Sequence, residues 1–198
     1  VRSLQDELIG WANVLGHPPV RTIFLGGGTP SYLPPADLEA IHQTIRDAFR
    51  VEDSAEITME CNPGDVTAEK AASWLASGVN RISMGVQSFD DELLGLLGRR
   101  HTAAEAKEAF KTLRKAGFVN QSIDLIYGLP YQSAKQWSDT LDKTIDLEPE
   151  HISLYSLQIE QGTPLAVDVE AGKYPIPDDD LAADMYEEAQ TRLGENGF

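Results

Sequence analysis

Short strand-like segments alternate with helical segments five times along the chain, and this alternation constrains the fold more tightly than any other feature. The strand-like runs fall at residues 22–25, 56–60, 81–87, 122–127 and 151–159. Between them, apolar residues recur at the three- and four-residue spacing of an amphipathic helix. Strands separated by helices of crossover length must run parallel. Right-handed crossovers then coil them into a barrel or an open sheet. The expected class is α/β.

The helical stretches carry their own start and stop signals. Leu4, Leu8, Trp11 and Leu15 place an amphipathic helix over residues 2–15, ended by Gly16 and Pro18-Pro19. Residues 36–49 present Leu38, Ile41, Ile45 and Phe49 on one face. Thr67 caps a helix over residues 68–76, a short helix covers 91–97, and Thr102 caps one over 103–115 that Gly117 closes. Residues 134–146 turn Trp137, Leu141 and Ile145 inward, and residues 179–193 follow a cap at Asp178. The stretch between 165 and 178 reads as a loop. No low-complexity linker interrupts this order, so residues 1–198 read as a single domain.

Strand phase adds a second constraint, because successive residues of a strand point to opposite faces. Ile57 and Met59 oppose Thr58 and Glu60. Ile82 and Met84 oppose Ser83, Gly85 and Gln87. Ile123 and Leu125 oppose Ser122, Asp124 and Ile126, and Ile152 and Leu154 oppose Ser153 and Tyr155. Each of these strands has one aliphatic face for a helix layer and one face of small or polar residues. A sheet covered on both sides should be apolar on both, and a closed eight-strand barrel should be filled with branched aliphatics. The pattern fits a wider, partly open barrel around a polar ligand.

The first strand ends in Gly26-Gly27-Gly28-Thr29-Pro30. Three residues without side chains let backbone approach a ligand closely, or serve a tight turn needing φ > 0. Its position favours the ligand. Gly26–Thr29, Glu60, Gln87 and Asp124 all fall near strand C-terminal ends, the ligand-binding rim of α/β folds. Glu60 and Asp124, if buried there, need partners, which a cationic ligand group or Arg99 would supply. His101 reads as packing or capping locally, Tyr155 as core, and Asp178–Asp180 as a solvated helix start.

Composition bounds the partners. A formal net charge of −16 argues against nucleic acid and anionic membrane surfaces. No run approaches the length of a membrane span, and no signal pattern opens the chain. The single cysteine, Cys61, suits a reducing, cytoplasmic setting. It cannot by itself assemble a thiolate metal or iron–sulfur site. Opening at Val1 in mid-pattern and closing at Phe198, the chain reads as an internal segment of a longer protein.

Five motifs in order, Gly-Gly-Gly-Thr-Pro (26–30), Glu-Cys-Asn-Pro-Gly (60–64), Asn-Arg-Ile-Ser-Met-Gly-Val-Gln-Ser-Phe (80–89), Leu-Gly-Arg-Arg-His (97–101) and Ile-Asp-Leu-Ile-Tyr-Gly-Leu-Pro (123–130), resemble the radical S-adenosylmethionine (SAM) superfamily. Within it they resemble the oxygen-independent coproporphyrinogen III oxidase-like group, the HemN/HemW branch. Leu-Gly-Arg-Arg-His and the later Ile-Glu-Gln-Gly-Thr-Pro look closer to its haem chaperones.

The resemblance implies a partial (β/α)6 TIM-like barrel, incomplete here because the family's first strand is absent. It implies SAM at the barrel mouth, with contacts from Gly26, Gly27, Gly28, Thr29, Glu60, Gln87, Arg99 and Asp124. A [4Fe–4S] cluster and haem are implied for the full-length protein. Their ligands are outside this chain: the family's three closely spaced cysteines would precede Val1, and a haem-associated motif would follow Phe198. Cys61 matches no cluster ligand and reads as structural. This segment alone is therefore expected to be inactive. The partners implied are SAM, haem or porphyrin, and haem-receiving proteins, with self-association through the uncovered first-strand edge. Two functions stand side by side, haem transfer by a chaperone and oxidative decarboxylation by an oxidase. A third, an unrelated TIM-like enzyme, is weakened because no lysine sits at a strand C-terminal end for Schiff-base chemistry.

Overall fold

A computed structural model describes all residues, Val1–Phe198. The chain runs α1 (Arg2–Leu15), β1 (Pro19–Leu25), α2 (Pro35–Ala48), β2 (Arg50–Cys61), α3 (Ala68–Ala76) and β3 (Arg81–Gln87). It continues through α4 (Asp91–Leu96), α5 (Ala103–Ala116), β4 (Gln121–Tyr127), α6 (Ala134–Ile145), β5 (His151–Ser156), α7 (Pro164–Glu170) and α8 (Asp179–Glu195). The strands lie side by side in the order β1-β2-β3-β4-β5, every neighbouring pair parallel. Successive right-handed crossovers that always advance in one direction put the helices on the same face. The result is a curled half-barrel.

Strand phase sets the two faces as the sequence predicts. Met59, Ile82, Met84, Ile123 and Leu125 are fully buried against Trp74, Phe110, Leu113, Trp137 and Leu141 of the helix layer. The opposite face carries Thr58, Ser83 and Asp124. Caps hold the helices in register. Thr102 and Glu105 form a reciprocal capping box on α5, Ser133 and Gln136 form one on α6, and Asp178 caps α8. The α6–α8 contact is tied by Trp137 Nε1, which donates to Met185 O at 2.7 Å.

Four elements differ from expectation, the first being β1, which begins at Pro19, three residues before the expected start at Thr22. β2 begins at Arg50, earlier than residue 56, because Pro19 and Val20 pair with Arg50 and Val51 before the register shifts. The intervening Glu52, Asp53 and Ser54 are exposed, so no alternation marks them. β5 stops at Ser156: Leu157 still donates to Tyr127 O, and the ladder then ends. α7 forms where a loop is expected. Thr163 caps it and Pro164 opens it, but only Ala166 is buried, so it carries no amphipathic period.

At one edge of the sheet, β1 pairs only with β2, and Phe24 is 62% exposed. α1 docks on α2 through Gln5, whose amide donates to Thr44 Oγ1 at 2.8 Å. Its expected inward face is not covered, since Leu4, Trp11 and Leu15 are exposed and only Ala12 is buried. No helix is long and apolar enough to cross a membrane.

Candidate functional site

The C-terminal ends of β1–β5 surround a cleft of about 350 Å³ on the polar face of the sheet. From the expected residues it gathers Gly28, Thr29, Glu60, Gln87, Arg99 and Asp124. Gly26 and Gly27 lie beside it, on Glu60. The Gly27 N–H donates to Glu60 Oε2 at 3.3 Å. A Cβ on Gly26 would sit 2.5 Å from the Phe24 ring and 3.0 Å from the Glu60 carboxyl carbon. Gly27 has φ +99. The glycine run makes the expected left-handed turn at Gly27, and at Gly26 the missing side chain leaves room for the protein's own Phe24 and Glu60.

A hydroxyl behind the glycine loop joins it to the end of β2. Ser31, fully buried, donates to Asp65 Oδ2 at 2.7 Å and accepts from the Asn62 N–H at 3.2 Å. Lys70 Nζ donates to Ser31 O at 3.2 Å. Nothing in the local pattern marks Ser31, because its partners lie more than thirty positions away.

β3 supplies the strained part of the site. Its register against β4 shifts between Met84 and Gln87, a bulge. Gln87 has φ +69, and the Ser88 N–H donates to Val86 O across it at 2.9 Å, closing a γ-turn. Such a turn is rare and strained for a non-glycine residue. Strain of this kind persists only where surrounding structure holds it. Here the Arg99–His101 segment does so. Arg99 Nη2 donates to Gly85 O at 2.9 Å, and His101 Nε2 lies 3.1 Å from Val86 O. His101 is buried and packs locally, as expected, and burial lowers its pKa.

The electrostatics are uneven. No carboxylate forms a salt bridge with Arg99. The expected pairing of Arg99 with Glu60 or Asp124 is therefore not made. The Arg99 Nε is buried without a hydrogen-bond partner, and desolvation pushes the guanidinium's pKa down from its ordinary value. Asp124 takes its hydrogen bonds from neutral groups instead. Ser83 Oγ lies 3.0 Å from both carboxylate oxygens. Burial still pushes the Asp124 carboxyl up, against the opposing pull of Ser83, Ser153, Arg81 and His151. The cleft thus holds an unpaired cation, Arg99, together with Glu60 and the half-buried Asp124.

One reading of a single residue changes. Tyr155, expected in the core, is 55% exposed and lines the cleft. Its register partner Ile126 lies on the same face, so strand phase carried the signal. Ser83 and Gly85 also line the cleft and were identified by phase alone, without a role. Cys61 is buried and touches the cleft wall, and burial pushes its thiol up to about 12.

Bare glycines, an acid at a strand end and a carboxylate-free guanidinium suit a small zwitterionic ligand. The methionyl end of SAM, with its ammonium and carboxylate, is of that kind. A [4Fe–4S] cluster does not fit the side chains present: the one cysteine is buried with its thiol held protonated, and no group of three His, Cys, Asp or Glu side chains converges.

A parallel α/β half-barrel with a polar cleft at its strand C-terminal ends defines the class. The chain belongs to the radical SAM superfamily, which matches residues 3–144, and that membership carries SAM and a [4Fe–4S] cluster as the family's cofactors. It is 41% identical over 181 residues to heme chaperone HemW of Escherichia coli, covering 90% of this chain and 46% of that protein. It is 40% identical over 179 residues to the mouse mitochondrial protein radical S-adenosyl methionine domain-containing protein 1, covering 90% and 40%. Among solved structures, coproporphyrinogen III oxidase HemN of E. coli superposes with a TM-score of 0.87 at 28% identity, covering 99% of this chain and 45% of that one. The chain spans about half the length, or less, of the curated relatives it matches.

Proposed function

We propose that the cleft binds the methionyl end of SAM and that the chain is the SAM-binding core of a HemW-like protein acting on haem or porphyrin. The observation that carries the reading is Arg99, a half-buried cation whose Nε is shielded without a partner and which no carboxylate pairs, in the same cleft as Glu60 and Asp124. Glu60 would receive the ligand ammonium and Arg99 its carboxylate, a charge-assisted pair of the strong kind. Gly26, Gly27, Gly28 and Thr29 would give backbone groups, and Gln87 and Asp124 the remaining polar contacts. Gly26–Thr29, Glu60 and Arg99 would hold the SAM, and a cluster held by residues outside this chain would supply the radical chemistry of the superfamily.

Haem transfer is favoured over oxidative decarboxylation because relatives at 38–41% identity are named heme chaperones, whereas the oxidase superposes at 28%. Haem or porphyrin and a haem-receiving protein are the proposed partners. A reducing compartment suits the single cysteine, and the name of the mouse relative extends the range to mitochondria.

The test is Glu60→Gln in the full-length protein, purified and reconstituted without oxygen. The change keeps the shape of the side chain and removes its charge. SAM affinity measured by calorimetry should fall roughly tenfold or more, the effect of losing one charged hydrogen bond. Unchanged affinity would remove Glu60 from the site.

A further inference from the structure

Gly85 lies midway along the bulged segment of β3, and its conformation does not explain why it is glycine. Its φ is not positive, so an L side chain could follow the same backbone path. Space explains it. A Cβ built there would fall 2.9 Å from Arg99 Nη2 and 2.9 Å from Gln87 Nε2, while the nearest backbone atom, Cys61 O, is at an ordinary 3.9 Å. Two polar side-chain ends therefore fold onto the bare Cα from different elements. One comes from the γ-turn that ends β3, the other from the Arg99–His101 segment. Both line the cleft.

We propose that Gly85 is a positioning residue for the anion-binding end of the cleft. Its missing side chain is the socket that seats the Arg99 guanidinium and the Gln87 carboxamide. The inference rests on the SAM reading of the cleft and goes beyond it, since Gly85 itself need not touch the ligand. The seat is built from both sides. The Gly85 carbonyl accepts from Arg99 Nη2 at 2.9 Å, which orients the guanidinium, and the absent Cβ leaves room for it. The bulge between Met84 and Gln87 and the positive φ at Gln87 hold the second side chain over the same atom. A methyl group there would displace the free ends of two flexible side chains and no backbone. The fold should tolerate it while the cleft loses its prearranged donors. The socket also sets what the site admits. With Arg99 anchored by one nitrogen to Gly85 O, the rest of its planar fork is left for a carboxylate.

The experiment is a double-mutant cycle in the full-length, anaerobically reconstituted protein: unsubstituted, Gly85→Ala, Arg99→Ala, and the two together. SAM affinity is read by calorimetry and folding by circular dichroism. Gly85→Ala should fold and weaken SAM binding on the order of tenfold or more, in the range of a loosened charge-assisted hydrogen bond. In the Arg99→Ala background the same change should weaken binding clearly less than in the unsubstituted protein, because only the Gln87 carboxamide is left to displace. Folding of Gly85→Ala only when Arg99 is removed would support the same clash. The proposal is overturned if Gly85→Ala binds SAM as the unsubstituted protein does. Equal weakening in both backgrounds, or failure to fold in both, also overturns it. Absence of SAM binding by the unsubstituted protein would refute the SAM reading itself, a result distinct from each of these.

Discussion

Replacing Asp124 by asparagine should make the ligand-free protein more stable at neutral pH. Asp124 is held by Ser83 Oγ at 3.0 Å to each carboxylate oxygen, yet burial raises its pKa above the ordinary value. The direction fixes the sign. A carboxyl whose folded pKa lies above its unfolded one binds its proton more tightly in the native state. Stability is therefore lost as pH rises from the unfolded value through the folded one, and the loss is complete above it. An asparagine side chain at this position would carry no charge to desolvate. Its carbonyl would still accept from Ser83, and its amide could donate to Ser153, whose hydroxyl already bears on the carboxylate. The gain at neutral pH should be about 1 kcal/mol, the scale of one buried hydrogen bond or a modest desolvation cost. For a unit of 150–250 residues that is a rise of roughly 2–4 °C in Tm, and for the longer full-length protein less. The assay is thermal unfolding of the full-length protein without SAM, from acid to neutral pH, with Asp124→Asn beside the unsubstituted chain. The two curves should converge below the ordinary carboxylate range and separate above it. SAM binding should weaken while stability rises, the pattern of a group retained for ligand rather than fold. A variant destabilised at every pH, or a Tm difference that ignores pH, would refute the reasoning.

Two other outcomes test the scaffold. Trp137→Ala removes a fully buried ring and the Nε1–H bond to Met185 O that ties α6 to α8, and should cost about 3–5 kcal/mol by chemical denaturation, with most of the loss appearing as faster unfolding of α8. At the open edge of the sheet, Phe24→Lys places a charge on an exposed apolar position of β1, and sedimentation of the 198-residue segment should show less concentration-dependent association than the unsubstituted chain. A segment that is monomeric with or without the change would show that the edge does not self-pair.

Much of the site could be read in the sequence because it depends on strand phase and strand ends, both local properties. Alternation and position at strand C-terminal ends together put Glu60, Gln87 and Asp124 on one rim, and the structure gathers them in one cleft. Tyr155 obeyed the same rule against its expected place in the core, because a large aromatic on the inward face of an open half-barrel has nothing to pack beneath. The ends of β2 and β5 and the short α7 left no periodic signal, since their residues are mostly exposed and burial is what writes the period.

By itself the sequence determined the α/β class, the parallel order, the polar inner face and the superfamily. Each follows from spacing, turn residues and motifs written along the chain. Only the tertiary structure decided how the groups are paired. It left Arg99 without a carboxylate, gave Asp124 to a serine, and folded Arg99 and Gln87 onto Gly85. Pairing depends on distances between residues far apart in sequence. The same glycine that reads as a neutral strand position becomes a socket only when a side chain from another element arrives above it.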